Sequence, residues 1–186
     1  MTFEDKQFAL PHHTDTFALY YNVDFLRNLG VEMPRSLDHS LKWDEFICIA
    51  RQLKEKGDGP YGFAMGWLNS SAYRWLPFLY QHGGQMLDAE LRQPQLASPA
   101  GVETLAWTQS WFKEGLVPPS ASVKSSEQTQ NLFANGTIGM LLGGDWQIPF
   151  LQNEHDQIQM GCDLYAARCG HGLRSRRELP GGQPRQ

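Results

Sequence analysis

His12 and His13 stand just before Asp15, a grouping that would suit a metal ligand set or a proton relay. No further ligand follows at a spacing that zinc or catalytic sites use, and adjacent histidines on a loop are otherwise polar surface. Asp15 and Asp145 are the one carboxylate pair suited to glycoside cleavage, which needs two acids about 5–9.5 Å apart. Asp44 and Glu45 fall in the first turn of a helix, where the dipole accounts for them without catalysis. Cys48 reads as a small apolar filler on the inner side of that helix. There is no G-x-S-x-G elbow, P-loop, H-E-x-x-H or G-x-G-x-x-G. The informative residues are the aromatics: six tryptophans, of which Trp67, Trp75 and Trp146 flank turns. An indole can cover the C–H face of a pyranose while its N–H finds a hydroxyl. Carboxylates and amides then read the ring hydroxyls, which require both donors and acceptors. Trp43, Trp107 and Trp111 are assigned to packing.

These residues need elements to hold them. Phe3 to Leu10 reads as a turn running into a short strand. Thr16 to Tyr21 is an almost wholly apolar, β-branched and aromatic run, predicting a buried strand. Asp24 to Leu29 follows as a short helix closed by Gly30. Trp43, Phe46, Ile47, Ala50 and Leu53 share one helical face, ended by Gly57. Tyr61 to Ala64 predicts a strand, and about Ser71 to His82 a helix. Ser98 and Pro99 open the next helix and Gly115 ends it, with Val102, Leu105, Ala106 and Phe112 on the expected inner face. A helix from about Ser126 to Asn135, a strand from Thr137 to Leu142 and a helix opening at Asp145 complete the pattern. Strands interleaved with helices predict an α/β layer architecture.

Composition sets the outer bounds. The 186 residues are 41% apolar and 19% charged, with net charge −4, which excludes a disordered chain and argues against a nucleic-acid partner. No run of eighteen apolar residues occurs, so no membrane-spanning helix is expected. Cys48, Cys162 and Cys169 make neither a disulfide framework nor a zinc pattern. The charge is uneven: residues 1–157 carry a net −7 and residues 158–186 a net +3. That last stretch has five glycines and a single aromatic, Tyr165, too little periodic apolar surface to offset its ordering entropy. It is expected to be a basic tail without order. No secretory leader is visible at residues 1–11.

The order of landmarks resembles the extracellular solute-binding family of carbohydrate ABC importers, which includes maltose-binding protein. Phe8-Ala9-Leu10-Pro11 and then Thr14 to Phe25 resemble its crossover strand with a Tyr-Asn pair. Gly30-Val31, Pro34 and Trp43-Asp44-Glu45-Phe46 resemble its helix start, with Lys42 where the family prefers a capping threonine and Ser40 as the nearest substitute. Tyr61-Gly62-Phe63 and Gly83-Gly84 come next in the family's order. Phe133 to Gly136, Ile138-Gly139-Met140 and Gly144-Asp145-Trp146 resemble its "F-x-x-G-x-x-A-M-x-x-x-G-x-W", with Gly139 in place of a small apolar residue. Together these cover roughly residues 6–152.

The resemblance implies an incomplete periplasmic-binding-protein-like (type II) lobe: residues 1–22 as hinge and crossover strand, 23–154 as the second α/β lobe, and 155–186 as the tail. It implies a non-enzymatic chain without a cofactor, capturing a sugar, oligosaccharide or glycerol-phosphate-like solute in an interlobe cleft and delivering it to permease subunits. The implied location is periplasmic or extracellular, although a chain made as written, without a leader, would stay cytoplasmic. By position, Asp15 would accept hydroxyl hydrogen bonds, Tyr73 or Trp75 would stack on a sugar, and Trp146 would supply the floor. Gly144 and Asp145 would lie at the start of the helix beneath it. His12, His13 and Asn69 are expected polar neighbours. The family continues with a strand resembling W-D-V-x-x-M-P, and codons for Met160 onward can be chosen so that the frame one nucleotide later reads Trp-Asp-Val-Thr-Tyr-Met-Pro. Residues from about 155 are therefore expected to be frameshifted translation. Two other readings stay open: a fragment of a carbohydrate-active hydrolase using Asp15 and Asp145, and a pseudogene product without function.

Overall fold

Two stretches with little side-chain polarity, 17–22 and 138–144, lie side by side at the centre of the molecule. The computed structural model describes residues 2–3, 5–10, 12, 16–34, 40–56, 61–67, 72–124, 127–154 and 160–164. Along them run β1 (Thr2–Phe3), β2 (Lys6–Gln7), β3 (Phe17–Asn22), α1 (Val23–Asn28), α2 (Trp43–Lys56) and β4 (Tyr61–Met65). Then come α3 (Ala72–Gln81), α4 (Pro99–Lys113), α5 (Thr129–Ala134), β5 (Ile138–Gly144), α6 (Gln147–Glu154) and β6 (Met160–Leu164). The described helices include none long and apolar enough to cross a membrane.

The main sheet has the order β4-β5-β3-β6. β5 is buried along its whole length, as expected of a strand with neighbours on both edges and helices against its faces. It pairs parallel with β4, in register Phe63 to Met140, and antiparallel with β3, in register Leu19 to Leu142. The parallel pair is joined through α3, α4 and α5, the long crossover that parallel strands require. The free side of β4 is closed by backbone, Gly62 and Phe63 both donating to the Leu116 carbonyl at 2.9 and 3.2 Å.

The predicted helix signals have visible physical counterparts. Ser98 accepts from the Gly101 amide at 3.3 Å, and Gly115 adopts φ +63°, where glycine avoids the Cβ penalty. Asn22 caps α1 by accepting from the Phe25 amide at 3.0 Å. At the start of α2 the missing threonine is not fatal to the cap: Glu45 reaches back to the Lys42 amide at 2.8 Å, keeping the carboxylate half of a capping box. Phe46, Ala50 and Leu53 of α2 are buried against the sheet. Trp111 is likewise buried, while Trp43 packs edge-on at 5.0 Å from both Phe78 and Trp107, with Trp107 at 5.8 Å from Phe78. Arg51 of α2 reaches Glu114 at 2.8 Å, and that hydrogen bond lowers the Glu114 carboxyl from its ordinary range.

Four expectations are corrected. Cys48 is exposed, so it fills no core space. In α4 the inner face is Gly101, Thr104, Thr108 and Trp111, whereas Val102 and Leu105 are 58% and 54% exposed. The threonines can turn inward because each hydroxyl donates to a carbonyl one turn back, Thr104 to Ala100 at 2.7 Å and Thr108 to Thr104 at 2.8 Å. α5 starts at Thr129 and α6 at Gln147, later than expected, with Asp145 and Trp146 forming a turn before it. Within the tail expected to lack order, Met160–Leu164 forms β6 along the β3 edge. Edge pairing draws on backbone N–H and C=O groups and does not need apolar periodicity. Residues 155–159 and 165–186 lie outside the described residues.

Candidate ligand-binding site

The site is built where β5 ends. The Tyr20 hydroxyl on β3 donates to the Gly144 carbonyl at 2.8 Å, and the Asp145 amide donates to the Thr16 carbonyl at 3.2 Å. These two bonds hold the turn that leads into α6, and the Ile148 amide bonds the Asp145 carbonyl at 3.0 Å. Trp146 folds back over Gly144 so closely that a Cβ there would lie 1.9 Å from the indole. Only a residue without a side chain allows that ring position.

Facing Trp146 is Tyr73, near the start of α3, with ring centroids 6.5 Å apart and planes inclined by 62°. Both remain open, Tyr73 at 44% and Trp146 at 37% exposure. Buried aromatic pairs stabilise a core; a half-exposed pair at an angle presents faces to solvent instead. Arg74 lies between them, its guanidinium carbon 5.1 Å from the Tyr73 ring centre and 5.4 Å from that of Trp146. One Nη1–H donates to the Gly66 carbonyl at 3.1 Å, which ties the side chain to the end of β4. Pro77 in α3 has no N–H to give, so the Tyr73 carbonyl loses its usual helical donor.

Tyr73, Gly144, Asp145 and Trp146 are thus brought together, and Trp75 is not. Two helical positions separate Tyr73 from Trp75, about 200° around the axis. Trp75 turns inward to 9% exposure, and its indole N–H donates to the Thr108 hydroxyl at 2.9 Å. With Trp67, Val102, Leu105, Phe112 and Val123 it lines a separate apolar groove of about 660 Å³ between α3 and α4. His13, Asp15 and Asn69 lie outside the described residues, and His12 is exposed. Among the described residues no group of three or more His, Cys, Asp or Glu could hold a metal ion. Arg74 was missed by sequence reasoning, yet it carries a signal: it is the sole charge in the ten residues of α3.

The chain resembles known proteins over most of its length. A binding protein of Brucella abortus is 27% identical over 81% of this chain and 34% of its own length. The multiple sugar-binding protein of Streptococcus mutans is 21% identical over 90% of this chain and 40% of its own. The solved ABC substrate-binding protein of Listeria monocytogenes, in complex with cycloalternan, superposes with a TM-score of 0.69 at 21% identity, covering 87% of this chain and 39% of that one. The chain therefore spans roughly a third to two-fifths of the length of these relatives. That likeness fixes the fold as part of the periplasmic-binding-protein-like α/β architecture. The family model for bacterial extracellular solute-binding proteins matches residues 1–158, and this chain belongs to that family.

Proposed function

We propose that this chain forms one wall of a carbohydrate-binding cleft in the extracellular binding component of an ABC importer. The observation that carries the reading is the half-exposed Tyr73–Trp146 pair, set 6.5 Å apart at the end of the central strand. Aromatic faces of this kind take the C–H face of a sugar, and nearby polar groups take its hydroxyls. The Tyr73 carbonyl, which lacks the N–H that residue 77 would usually donate, and the Asp145 carboxylate are the acceptors we assign to those hydroxyls. Asp15 and His13, which precede β3 in sequence and lie outside the described residues, are further ligand contacts we propose from the family resemblance. Trp75 belongs to the packing of α3 on α4.

The chemistry is capture, with no bond made or broken. The relatives are binding proteins, and the sugar-binding name of the streptococcal relative and the cycloalternan complex of the listerial one support a saccharide ligand. In such an importer the opposite wall would come from another lobe, cleft closure would bury the ligand, and permease subunits would receive it. A periplasmic or extracellular location follows from the same assignment. One wall alone covers far less of a ligand than the roughly 70–90% that formed pockets bury.

The 186-residue chain titrated with maltose and glucose is therefore expected to show dissociation constants of about a millimolar or weaker, read by tryptophan fluorescence. Trp146→Leu should weaken maltose binding at least about tenfold, the loss of one stacking face. Micromolar affinity would contradict the one-wall assignment. A titration unaltered by Trp146→Leu would contradict the site.

A further inference from the structure

The cleft wall contains a cation that stacking on a neutral sugar does not require. Arg74 is the only Lys or Arg between Lys56 and Arg92, and none occurs between Lys124 and Arg168. The two segments that build the site, 61–81 and 138–154, thus carry one positive charge between them, inside a stretch with net charge −7 over residues 1–157. Among the described residues no carboxylate lies within ion-pair distance of Arg74, in contrast to Arg27 with Asp24 and Arg51 with Glu114. Among the described residues nothing supplies a counter-charge to this partly buried guanidinium, which leaves it open to an anionic ligand.

Its placement is specific. The contact with Gly66 uses one of the five guanidinium N–H donors, and the rings of Tyr73 and Trp146 lie within 5.1 and 5.4 Å of its carbon. Four N–H groups remain for a ligand, in the fork geometry that matches a carboxylate or phosphate. The two rings and the Gly66 carbonyl restrict the side chain before any ligand arrives, so little further ordering is needed on binding.

Resting on the carbohydrate reading above, we infer that the ligand taken at this pair carries an anionic group, a carboxylate or a phosphate on a sugar, and that Arg74 selects it. The rings cover the sugar face while the guanidinium edge binds the anion. Asp145, next to Trp146 in sequence, is the acidic residue we assign to the ligand's hydroxyls.

The test compares matched saccharides on the intact 186-residue chain at constant ionic strength. Glucose, glucuronate, glucose 6-phosphate and inorganic phosphate are each titrated while the Trp146 indole N–H resonance is followed by NMR. Glucuronate and glucose 6-phosphate are expected to bind about tenfold or more tightly than glucose, as charge-assisted hydrogen bonds outweigh neutral ones. In Arg74→Gln that ratio should fall to within about twofold, and Arg74→Lys, which keeps the charge but not the planar fork, should retain only part of it. Should Arg74→Gln fail to fold, the same ratio in the unaltered chain must shrink as salt rises from about 20 to 500 mM, since screening acts on the charge alone. A ratio near one, with Trp146 still responding to glucose, overturns the selection by Arg74 and leaves the sugar site standing. No response of Trp146 to any saccharide overturns both. A response to inorganic phosphate as large as that to glucose 6-phosphate overturns the sugar-borne anion and marks a simple anion site.

Discussion

Replacing Gly62 by alanine is expected to lower the unfolding free energy by about 3 kcal/mol, at the upper end of what overpacking costs. Gly62 lies where β4 crosses α2, and a Cβ there would stand 2.5 Å from the Ala50 carbonyl oxygen, 2.7 Å from the Ala50 Cβ and 2.8 Å from its Cα. Two of those three atoms are backbone, so no rotamer change relieves the contact. The helix itself must move, and with it Phe46, Ala50 and Leu53, which are all within 1% of full burial. Gly62 also donates to the Leu116 carbonyl at 2.9 Å, so a shift of β4 instead would strain that bond. Urea denaturation of the variant measures the loss. Adding Ala50→Gly should restore little, because only the Cβ contact disappears and glycine inside a helix costs about 1 kcal/mol of its own. A loss below about 1 kcal/mol would show that α2 and β4 are less tightly apposed than this geometry requires. Gly139 provides the contrast: its nearest neighbours are the flexible methyl ends of Leu53 at 2.7 Å, which can turn aside.

The second large effect is on binding. Gly144→Ala is expected to displace the Trp146 ring and to weaken maltose binding about as much as Trp146→Leu, at least about tenfold. The new methyl would fall within 1.9–2.4 Å of three indole carbons, an overlap that the chain removes by swinging a 37% exposed ring into solvent. Because the yielding group is a surface side chain, stability should change by only about 0.5 kcal/mol. The Tyr20 hydroxyl keeps its bond to the Gly144 carbonyl, so the strand end stays in place. Fluorescence titration beside urea denaturation separates the two effects. Unchanged maltose affinity in this variant would mean that the ring position above Gly144 is not the binding position.

Where local chemistry alone decides the outcome, the sequence is legible. Ser98, Pro99 and Gly115 mark α4 because caps act within one turn, and the all-apolar run at Ile138–Leu142 marks β5 because a strand between two neighbours has no polar face. The inner face of α4 is hidden in the sequence because Thr104 and Thr108 look polar until their hydroxyls are bonded within the helix. Trp75 reads in the sequence as a ligand contact because it is aromatic and near Tyr73, although helical geometry sends the two to opposite sides. Arg74 escaped notice for the reverse reason: a lone cation on an apolar helix looks like a solubilising surface charge until its two ring neighbours, one of them 72 positions along the chain, are placed. The strand at Met160–Leu164 was illegible because backbone pairing at an open edge leaves no periodic signature.

Trp146 carries the central claim, and its indole N–H resonance gives the direct reading. In the chain titrated with maltose, that resonance should shift saturably while those of the packed Trp43, Trp107 and Trp111 stay still. Saturable shifts at Trp111, or a silent Trp146 at maltose concentrations of about 100 mM, far above the millimolar range expected of a single wall, would contradict it.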